Sequence, residues 1–529
     1  MTNVTPQGWE SCTFGDIAKI RNGYAFKSKY FKKRKELSTD IPLVRQSQLI
    51  GSKIDLSEAV YLAKEFAEEN PNYLLKKGDI LIGMSGSIGK LCYYEHNFVS
   101  LQNQRTGKIE IFAKNYLHSK YIGLFLSNIE NELVKNAKGI GVQNISAKDI
   151  EALVFPLPPL NEQKRIVAKI EELFSEMDNG IAALKTAREQ FKAYRQSVLK
   201  HAFEGKLTAK WREDNADKLE SSEQFLARIQ QEREARYQEQ LEDWKAAVKE
   251  WETNSEKLKK PKKPKNVVSA KILTKSEVQE FCSLPKGWAL LNLGSFINRV
   301  DAGKSFKCDE REPNQNEIGV AKVSAVSWGE YNESESKTCI DLEKINPDFF
   351  INSGDFIFSR ANTIELVGSC VIAKKVNKNI MLSDKTLRLK FNKVNEEYVL
   401  QYLRSHYGRN EITKRSTGNQ ESMRNIGQDK IKSIVLPVCS TKEMEKVVKI
   451  VNEILEPAIA LSNEIEMQLL RAKTLRQSIL KKAFSGQLVP QDPSDEPASK
   501  LLARIQAEKE FVNTQKTSKS NKRHSVPSH

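Results

Sequence analysis

The sequence lacks several of the patterns that identify metalloenzymes, nucleotide-binding enzymes and membrane proteins. Its six histidines form no H-E-x-x-H motif, and there is no Walker A motif, glycine-rich dinucleotide fingerprint or N-P-P-Y tetrapeptide. Its seven cysteines contain no C-x-x-C pair, which disfavours a zinc site and favours reduced thiols. No apolar run approaches the roughly eighteen residues of a membrane span, and no signal-peptide core opens the chain. We therefore expect a soluble cytoplasmic protein with no membrane partner, no metal and no catalytic residues.

One glycine-rich stretch, ILIGMSGSIGKL at residues 80–91, nevertheless resembles a phosphate-binding loop. The spacing is wrong, because five residues separate Gly83 from Gly89 where a P-loop has four, and Leu91 follows the lysine instead of Ser or Thr. The missing hydroxyl would have bound the magnesium ion of a nucleotide. A tight turn between buried strands is the simpler interpretation of these glycines.

The net charge is strongly positive and is spread along the chain. Lys and Arg total 84 against 68 Asp and Glu. Residues 1–157 carry 21 basic and 16 acidic groups, residues 286–437 carry 23 and 19, and the tail 511–529 adds four basic residues and no acid. Because the excess lies in the folded regions as well as in the tail, it favours a patch or groove for a polyanion.

The chain repeats itself with a period of about 280 residues. P-x-G-W at residues 6–9 returns at 285–288, and RQSVLKHAFEGKL at 195–207 returns as RQSILKKAFSGQL at 476–488. LARIQ occurs at 226–230 and again at 502–506. A Gly-Asp turn before a strand also recurs, with Asp79 and Asp355 in the role that Asp ordinarily has in turns. The pattern predicts a duplicated unit, with a globular part followed by a long helix.

The helical part of each copy shows apolar residues three and four positions apart. In residues 161–203 these include Ile166, Ile170, Tyr194 and Val198, and the second copy shows the same spacing from Val447 through Leu461 to Leu475. At 1.5 Å per residue, residues 161–203 would make a rod of about 64 Å. Two matched rods of this length predict an antiparallel coiled coil, with the two copies related by a pseudo-twofold axis.

The globular parts mix β-rich runs such as ILIGM and FIFSR with short helical stretches such as YIGLFLSN, so the predicted fold class is α+β. The predicted organisation has six segments. They are globular domain 1 (1–157), long helix 1 (158–208), a charged helical insert and linker (209–283), globular domain 2 (284–437), long helix 2 (438–490) and a C-terminal segment with a basic tail (491–529). The tail is predicted to be disordered after about residue 511.

Together these residues resemble a known family. FPLPPLNEQKRIVAKIEELF at 155–174, the two AFxGxL segments that end the long helices, and the GDILIGMSGSIGK loop are similar to specificity (S) subunits of type I restriction-modification enzymes. The resemblance spans both halves of the chain. It departs from the family pattern at residues 436–448, LPVCSTKEMEKVV, which lack the Pro-Leu-x-Glu-Gln core, and in the long charged insert at 209–265.

The resemblance implies a non-catalytic subunit of a phage-defence system. Each globular part would be a target-recognition domain that reads one half of a bipartite, asymmetric site in double-stranded DNA. The long helices would set the unread spacer and dock two methyltransferase (M) subunits, and motor-nuclease (R) subunits would complete the complex. S-adenosylmethionine, ATP and Mg²⁺ would be bound by those partners and not by this chain, and base flipping would be done by the methyltransferases.

Candidate DNA contacts are polar residues in predicted loops, because Arg and Lys can bind guanine and Asn and Gln can bind adenine in the major groove. In the first domain they are Ser85, Ser87, Lys90, Gln102, Asn103, Gln104, Arg105, Lys138, Gln143 and Asn144, and in the second Arg360, Asn362, Lys385, Asn419, Gln420, Arg424 and Asn425. The loop at 84–90 and its counterpart at 359–363 share a strand and a glycine but not the lysine. This divergence favours a common backbone scaffold that carries different DNA-contacting side chains in the two copies.

Three other functions remain open from the sequence. One is the specificity subunit of a different multisubunit restriction system, which would share the domains but have other partners. A coiled-coil scaffold without a DNA role is disfavoured by the repeated globular domains and their positive charge. An ATP-dependent enzyme is supported only by the loop at 80–91, whose spacing fails.

Overall fold

The computed structural model describes residues 6–137, 143–253, 261–264, 272–273, 284–327, 329–392, 394–420 and 423–523. Contacts divide the chain into two compact units. Unit 1 comprises residues 1–185 and 466–529, and unit 2 comprises residues 186–465. Each unit therefore contains one predicted globular domain together with a part of each long predicted helix.

The β-structure of unit 1 consists of short strands that form two sheets and a ribbon. The strands are β1 (Glu10–Thr13), β2 (Ala18–Asn22), β3 (Ile41–Val44), β4 (Leu49–Ile50), β5 (Lys53–Ile54), β6 (Val60–Leu62), β7 (Leu74–Leu75), β8 (Ile80–Gly83), β9 (Leu91–Tyr93), β10 (Ser100–Gln102), β11 (Thr106–Ile111) and β12 (Val154–Leu157). The sheets have the orders β2-β11-β8-β9-β5-β4 and β6-β3-β10-β7, and β1 pairs with β12. Strand β10 runs parallel to β3.

The described residues of unit 1 also contain five short helices and the first part of a long one. They are α1 (Phe14–Ile17), α2 (Lys64–Glu69), α3 (Ser119–Asn128), α4 (Glu130–Asn136), α5 (Ala147–Glu151) and the long α6 (Leu160–Phe203). The rings of Tyr121 and Phe125 on α3 lie 5.8 and 4.9 Å from the ring of Phe155 on β12. Ile166 and Ile170 near the start of α6 are buried in the same core. The predicted helix at 161–203 is confirmed, and it ends before Gly205, whose φ is +68°.

Unit 2 repeats this mixture of helices and short strands. Its elements are α7 (Ala209–Asp214), α8 (Ser222–Thr253), β13 (Ala289–Asn292), β14 (Ile297–Ala302), β15 (Cys308–Asp309), β16 (Gly319–Ala321), β17 (Ser336–Cys339), β18 (Phe356–Ser359), β19 (Ala361–Asn362), β20 (Cys370–Ile372), β21 (Ile380–Met381), β22 (Thr386–Phe391), α9 (Glu396–Arg404), α10 (His406–Arg415), β23 (Thr417–Gln420), β24 (Met423–Asn425), α11 (Gln428–Lys432), β25 (Val435–Val438) and the first part of α12 (Thr441–Phe484). The chain continues into α13 (Ala498–Arg523), which belongs to unit 1. The α+β class predicted from the sequence is confirmed.

The sheets of unit 2 follow the orders β14-β22-β18-β20, β15-β17-β16-β21 and β19-β24-β23, and β13 pairs with β25. The ribbon β13-β25 corresponds in sequence to β1-β12, and the parallel pair β16-β21 corresponds to β3-β10. Tyr398 and Tyr402 on α9 pack against Phe203 at the end of α6, with ring separations of 5.2 and 5.1 Å. The core of unit 2 therefore uses the last turns of α6.

The repeated LARIQ segment has the same packing role in both units. Phe225 and Ile229 of α8 are buried in the core of unit 2, and Leu501 and Ile505 of α13 are buried in the core of unit 1. Helix α13 runs to Arg523, past residue 511, where the sequence predicts disorder. The LARIQ segment lies in the first turns of both helices, and beyond it the described side chains of α13, at 507–511 and 514, are exposed or partly buried.

The long helices are buried where they meet the globular domains. In unit 1, Arg476 Nη2 of α12 lies 2.7 Å from Asp178 Oδ1 of α6, and Arg165 Nη2 lies 2.8 Å from Asp495 Oδ2. Asp495 lies beyond the end of α12, so only the Asp178–Arg476 pair joins the two helices directly. Ile166 and Ile170 near the start of α6 share the core of unit 1 with Ile479 and Ala483 near the end of α12. Three residues of the predicted apolar seams, Tyr194, Leu461 and Leu475, are half exposed, so the predicted seam is not buried along its whole length.

A buried cation–carboxylate pair joins the central strands of unit 2. Arg388 on β22 donates from Nη1 to Asp355 Oδ2 at 3.0 Å and from Nε to Asp301 Oδ2 at 2.9 Å. Burial alone would raise the pKa of Asp355, but Lys390, the amide of Asn352 and Arg388 outweigh burial and hold this pKa below its ordinary value. The carboxylate is therefore ionised at neutral pH.

Unit 1 has the corresponding pair at the same place in its sheet. Lys108 Nζ on β11 lies 2.7 Å from Asp79 Oδ2, and the amide of Lys76 donates to the same oxygen at 2.9 Å. The amide of Asn352 likewise donates to Asp355 at 2.8 Å. Both aspartates therefore close the turn before a central strand, as the sequence predicts, and each also binds a cation on the neighbouring strand.

We expect Asp355→Asn to lower the free energy of unfolding of unit 2 by about 2–4 kcal/mol, because it leaves the buried Arg388 short of a charged partner. Chemical denaturation would measure the loss, and hydrogen exchange of β18 and β22 would localise it to unit 2. Asp309→Asn is the matched control, since Asp309 is exposed and lies 4.0 Å from Arg311. Equal destabilisation by the two variants would contradict the assigned role of Asp355.

Candidate nucleic-acid interface

The glycine-rich loop after β8 is closed by hydrogen bonds from its own backbone amides. Gly83 N donates to Lys90 O at 2.9 Å, Gly89 N donates to Gly83 O at 2.9 Å, and Ser87 N donates to Ser85 O at 2.8 Å. Gly86 and Gly89 have φ values of +68° and +77°, which other residues rarely adopt. A phosphate cradle needs free amides that point at the anion. These amides are engaged, so the loop is a turn, as its spacing predicts.

Hydrogen bonds join this loop to two other segments of unit 1. Met84 N donates to Arg105 O at 3.2 Å, and Ile145 N donates to Met84 O at 3.0 Å. Ser85 also pairs with Asn144 in an isolated antiparallel bridge. We call this arrangement the junction. It brings together the loop after β8, the turn between β10 and β11, and the stretch before α5, which together contain eight of the ten candidate contacts of the first domain.

The same junction is present in unit 2. Arg360 N donates to Lys385 O at 2.9 Å, and Ile426 N donates to Arg360 O at 2.9 Å. Strand β19 then pairs with β24, with Asn362 opposite Arg424. The hydrogen bonds correspond one by one to those of unit 1, although the side chains differ. The backbone scaffold is therefore shared while the exposed groups vary.

In unit 1 the junction borders an open polar cleft of about 600 Å³. Five candidate residues predicted from the sequence line it, namely Ser87, Lys90, Asn103, Gln104 and Arg105. Arg45, Gln46 and Ser47 complete its wall, together with the apolar Leu49 and Ile50. With two guanidinium groups, one ammonium group and several amides, the cleft can donate hydrogen bonds to phosphate oxygens and to base edges.

The sequence analysis missed Arg45, Gln46 and Ser47, which follow strand β3. They reach the cleft because β3 runs parallel to β10, so the residues that follow each strand lie at the same edge of the sheet. The repeat contains a signal for this position, since Lys322 follows β16 in unit 2 as Arg45 follows β3 in unit 1. A basic residue therefore follows the matching strand in both units.

Two candidates of the first domain do not fit a role in DNA contact. Gln102 is fully buried, and its side-chain amide donates to Arg21 O at 3.1 Å and to Thr106 O at 2.8 Å. Ser85 is also buried, because its bridge to Asn144 covers it. Both assignments are wrong, because neither side chain is exposed to a ligand. Gln143 and Asn144 are exposed at the junction, and Lys138 lies outside the described residues.

The candidates of unit 2 lie on the strands of the sheet β19-β24-β23 or, in the case of Arg360 and Lys385, at the hydrogen bond beside β19. Lys385, Gln420 and Asn425 are exposed, and Arg360 and Asn362 are partly exposed. Arg424 is held by its own hairpin, since its guanidinium donates to Gly418 O at 2.9 Å and to Ser416 O at 3.1 Å. The Arg424 side chain therefore stabilises the hairpin. The side chain of Asn419 lies outside the described part of the structure.

Within the described ranges, no cluster of three or more His, Cys, Asp or Glu side chains could hold a metal ion. Across the same residues, no helix is both long enough and apolar enough to cross a membrane. The candidate surfaces of both units consist of cations, amides and hydroxyls, which is a chemistry suited to binding an anionic, hydrogen-bonding partner.

Comparison with known proteins gives consistent matches. Residues 6–185 match the family described as the type I restriction modification DNA specificity domain. The chain is 24% identical over 536 residues to the type I restriction enzyme EcoKI specificity subunit of Escherichia coli (strain K12), covering 97% of this chain and 98% of that protein. It is 22% identical to the type I restriction enzyme StySPI specificity subunit of Salmonella potsdam, with 97% and 98% covered.

A solved structure also matches. A chain described under complex assembly and conformational transition of the type I R-M system aligns with a TM-score of 0.55 at 17% identity, covering 92% of this chain and 100% of that chain. At this level of identity the match establishes a shared fold. The two sequence matches and the fold match each extend over nearly the whole chain.

We expect Gln102→Ala to lower the free energy of unfolding by about 1–3 kcal/mol, because it removes the two hydrogen bonds that the buried side-chain amide donates to Arg21 O and Thr106 O and leaves a cavity. Gln104→Ala, two residues away and exposed, should change stability by less than about 0.5 kcal/mol. Thermal denaturation of the two variants would measure the difference. Equal stability of the two variants would contradict the assignment of Gln102 as internal support.

Proposed function

We propose that this chain, a relative of the type I restriction enzyme specificity subunits along nearly its whole length, is the DNA-recognition subunit of such a system. Each unit would read one half of a bipartite, asymmetric site in double-stranded DNA. The observation that carries the proposal is the junction, which has the same backbone hydrogen bonds in both units and different side chains around them. A domain pair that reads two different half-sites requires this combination.

The chemistry of the two surfaces supports recognition of bases and phosphates together. In unit 1, Arg45 and Arg105 are suited to guanine O6 and N7, and Asn103 and Gln104 are suited to adenine N6 and N7. Ser87 and Lys90 would contact the backbone or the groove edge. In unit 2 the corresponding groups are Arg360, Asn362, Lys385, Gln420 and Asn425, with Arg424 in a supporting role.

The long helices would set the distance between the half-sites. Helix α6 has 44 residues, and at 1.5 Å per residue its length is about 66 Å, close to two turns of B-DNA. We propose that α6 and α12 pair as an antiparallel coiled coil about a pseudo-twofold axis. The core of unit 1 supports this arrangement, because it buries residues near the start of α6 together with residues near the end of α12, and Asp178 pairs with Arg476.

The catalytic steps would belong to partner subunits. Two methyltransferase subunits, docked on the long helices, would bind S-adenosylmethionine, flip the target adenine and methylate N6. Motor-nuclease subunits would use ATP and Mg²⁺ for cleavage. This chain would be non-catalytic, as the name specificity subunit of its relatives suggests, and would act in the cytoplasm as part of a phage-defence complex.

The proposal is tested by producing the chain with its methyltransferase in a host that lacks adenine methylation. Long-read sequencing of the host DNA would then report every N6-methyladenine. The proposal predicts one motif with two short specified blocks separated by an unspecified spacer of fixed length. Absence of methylation, or a single continuous motif, would contradict it.

We expect the double variant Asn103→Ala and Arg105→Ala to relax one block of that motif and leave the other block unchanged. Each lost bidentate contact should cost about 1–3 kcal/mol of discrimination, because the wrong base is no longer rejected. Lys385→Ala, the counterpart of the Arg105 change in unit 2, should relax only the other block. The measurement is the frequency of each base at every methylated site. Relaxation of the same block by both variants would contradict the assignment of one half-site to each unit.

A further inference from the structure

One positively charged segment of unit 1 has no role in the proposed recognition of the half-site. Residues 24–35, YAFKSKYFKKRK, leave the end of β2 directly beside the cleft. Tyr24 N donates to Gln102 O at 3.1 Å, and Tyr24 pairs with the cleft residue Asn103 in an isolated parallel bridge. We call residues 24–35 the basic segment. Its first residue adjoins a residue that lines the cleft, so a ligand in the cleft would lie close to it.

The basic segment is held in place by aromatic packing. The ring of Phe26 is buried and lies 4.8 Å from the ring of Tyr24 and 6.2 Å from that of Phe66. Tyr30 lies 5.2 Å from Phe66. Since the rings anchor the segment at several points, its charged side chains project from a supported backbone. A supported cation loses less conformational entropy on binding than one on a free loop.

Most of the cations on this segment have no acidic partner. Lys32 lies 3.1 Å from Asp40 Oδ1 and from Glu36 Oε2, so its charge is neutralised locally. The other cations are exposed, and among the residues that the structure describes they have no carboxylate within ion-pair distance; they are Lys27, Lys29, Lys33, Arg34 and Lys35. Residues 24–40 contain six basic residues against two acidic ones. The segment therefore carries a concentrated positive charge facing solvent.

The corresponding segment of unit 2 lacks this charge. It begins at Lys304, whose parallel bridge to Ser383 matches that of Tyr24 to Asn103. Residues 304–317 contain three basic and four acidic residues, and Arg311 Nη1 is 2.7 Å from Glu317 Oε2. The backbone position is the same, but in the described part of unit 2 the two cations without an ion pair, Lys304 and Lys307, lie in a segment whose acidic residues outnumber its basic ones. The excess of unpaired cations is therefore a property of the first unit and not of the shared scaffold.

We propose that the basic segment binds the phosphate backbone of DNA beside the half-site in the cleft of unit 1, and that it adds affinity without adding sequence preference. The inference rests on the proposed function, since it takes the same DNA as its ligand. Lysine and arginine contacts to phosphate release condensed counterions and position the protein without reading bases. Unit 1 would then hold its half-site more strongly than unit 2, in a manner that depends on salt.

The test is the triple variant Lys33→Gln, Arg34→Gln and Lys35→Gln in the full chain, assembled with its methyltransferase subunits. Affinity for a duplex carrying the complex's own methylation motif would be measured by fluorescence anisotropy over a series of potassium chloride concentrations. Each lost phosphate contact lowers the slope of log affinity against log salt by about 0.9, so we expect a decrease of about 2–3. At low salt the affinity should fall by at least roughly tenfold, equally for specific and unrelated duplexes.

The matched control is Lys76→Gln, Lys114→Gln and Lys500→Gln, which removes three exposed lysines of unit 1 outside the cleft, the basic segment and the long helices. The control should keep the slope of the unchanged complex, and the triple variant should keep its methylation motif.

A slope unchanged in the triple variant overturns the inference while leaving the proposed function intact. A changed motif also overturns it, because the segment would then read bases. Loss of binding to phosphatidylserine vesicles with an unchanged DNA slope would assign the charge to a membrane and overturn it as well. If the unchanged complex gives no bipartite motif, the proposed function fails, and the inference fails with it.

Discussion

The arrangement of each candidate surface depends on one pair of backbone hydrogen bonds. The residue after a central strand, Met84 in unit 1 and Arg360 in unit 2, donates to a later turn and accepts from the residue that precedes a short helix. Backbone bonds of this kind are indifferent to side-chain identity, so they hold three segments together while the residues around them change. The Asp79–Lys108 and Asp355–Arg388 pairs fix the strands that carry these segments. A duplicated domain could thereby diverge in what it binds without losing its scaffold.

Electrostatics distinguish the two units more than their folds do. Both have a basic residue after the parallel strand, Arg45 or Lys322, and both have cations or amides around the junction. Unit 1 adds the basic segment, and unit 2 has ion-paired carboxylates at the corresponding place. Because exposed charges act over about 8–10 Å at physiological salt, such a difference alters local affinity without changing the bases that are read. Strength of binding and choice of sequence would then be set by different residues.

The sequence predicts the α+β class and the long helices, because these depend on patterns that extend over many residues. It also predicts much of the cleft, since Ser87, Lys90, Asn103, Gln104 and Arg105 all line it. The sequence does not predict which way an individual side chain points, so a candidate residue can turn out to be buried. Gln102 ends a strand and points inward, while Gln104 lies in the turn that follows and points out.

Other residues were missed because their position depends on strand pairing over long distances in the chain. Arg45 reaches the cleft through the parallel pairing of β3 with β10, which no local pattern encodes. The half exposure of Tyr194, Leu461 and Leu475 likewise depends on which faces meet, and heptad-like spacing alone cannot determine that.

The central claim is that each unit reads its own half-site through a shared scaffold. Exchange of residues 5–157 for the recognition domain of another specificity subunit, followed by sequencing of the methylated DNA, tests this claim most directly. The account predicts that one block of the motif is replaced, while the other block and the spacer length are kept. A motif that is unaffected, or one in which both blocks change, would contradict it.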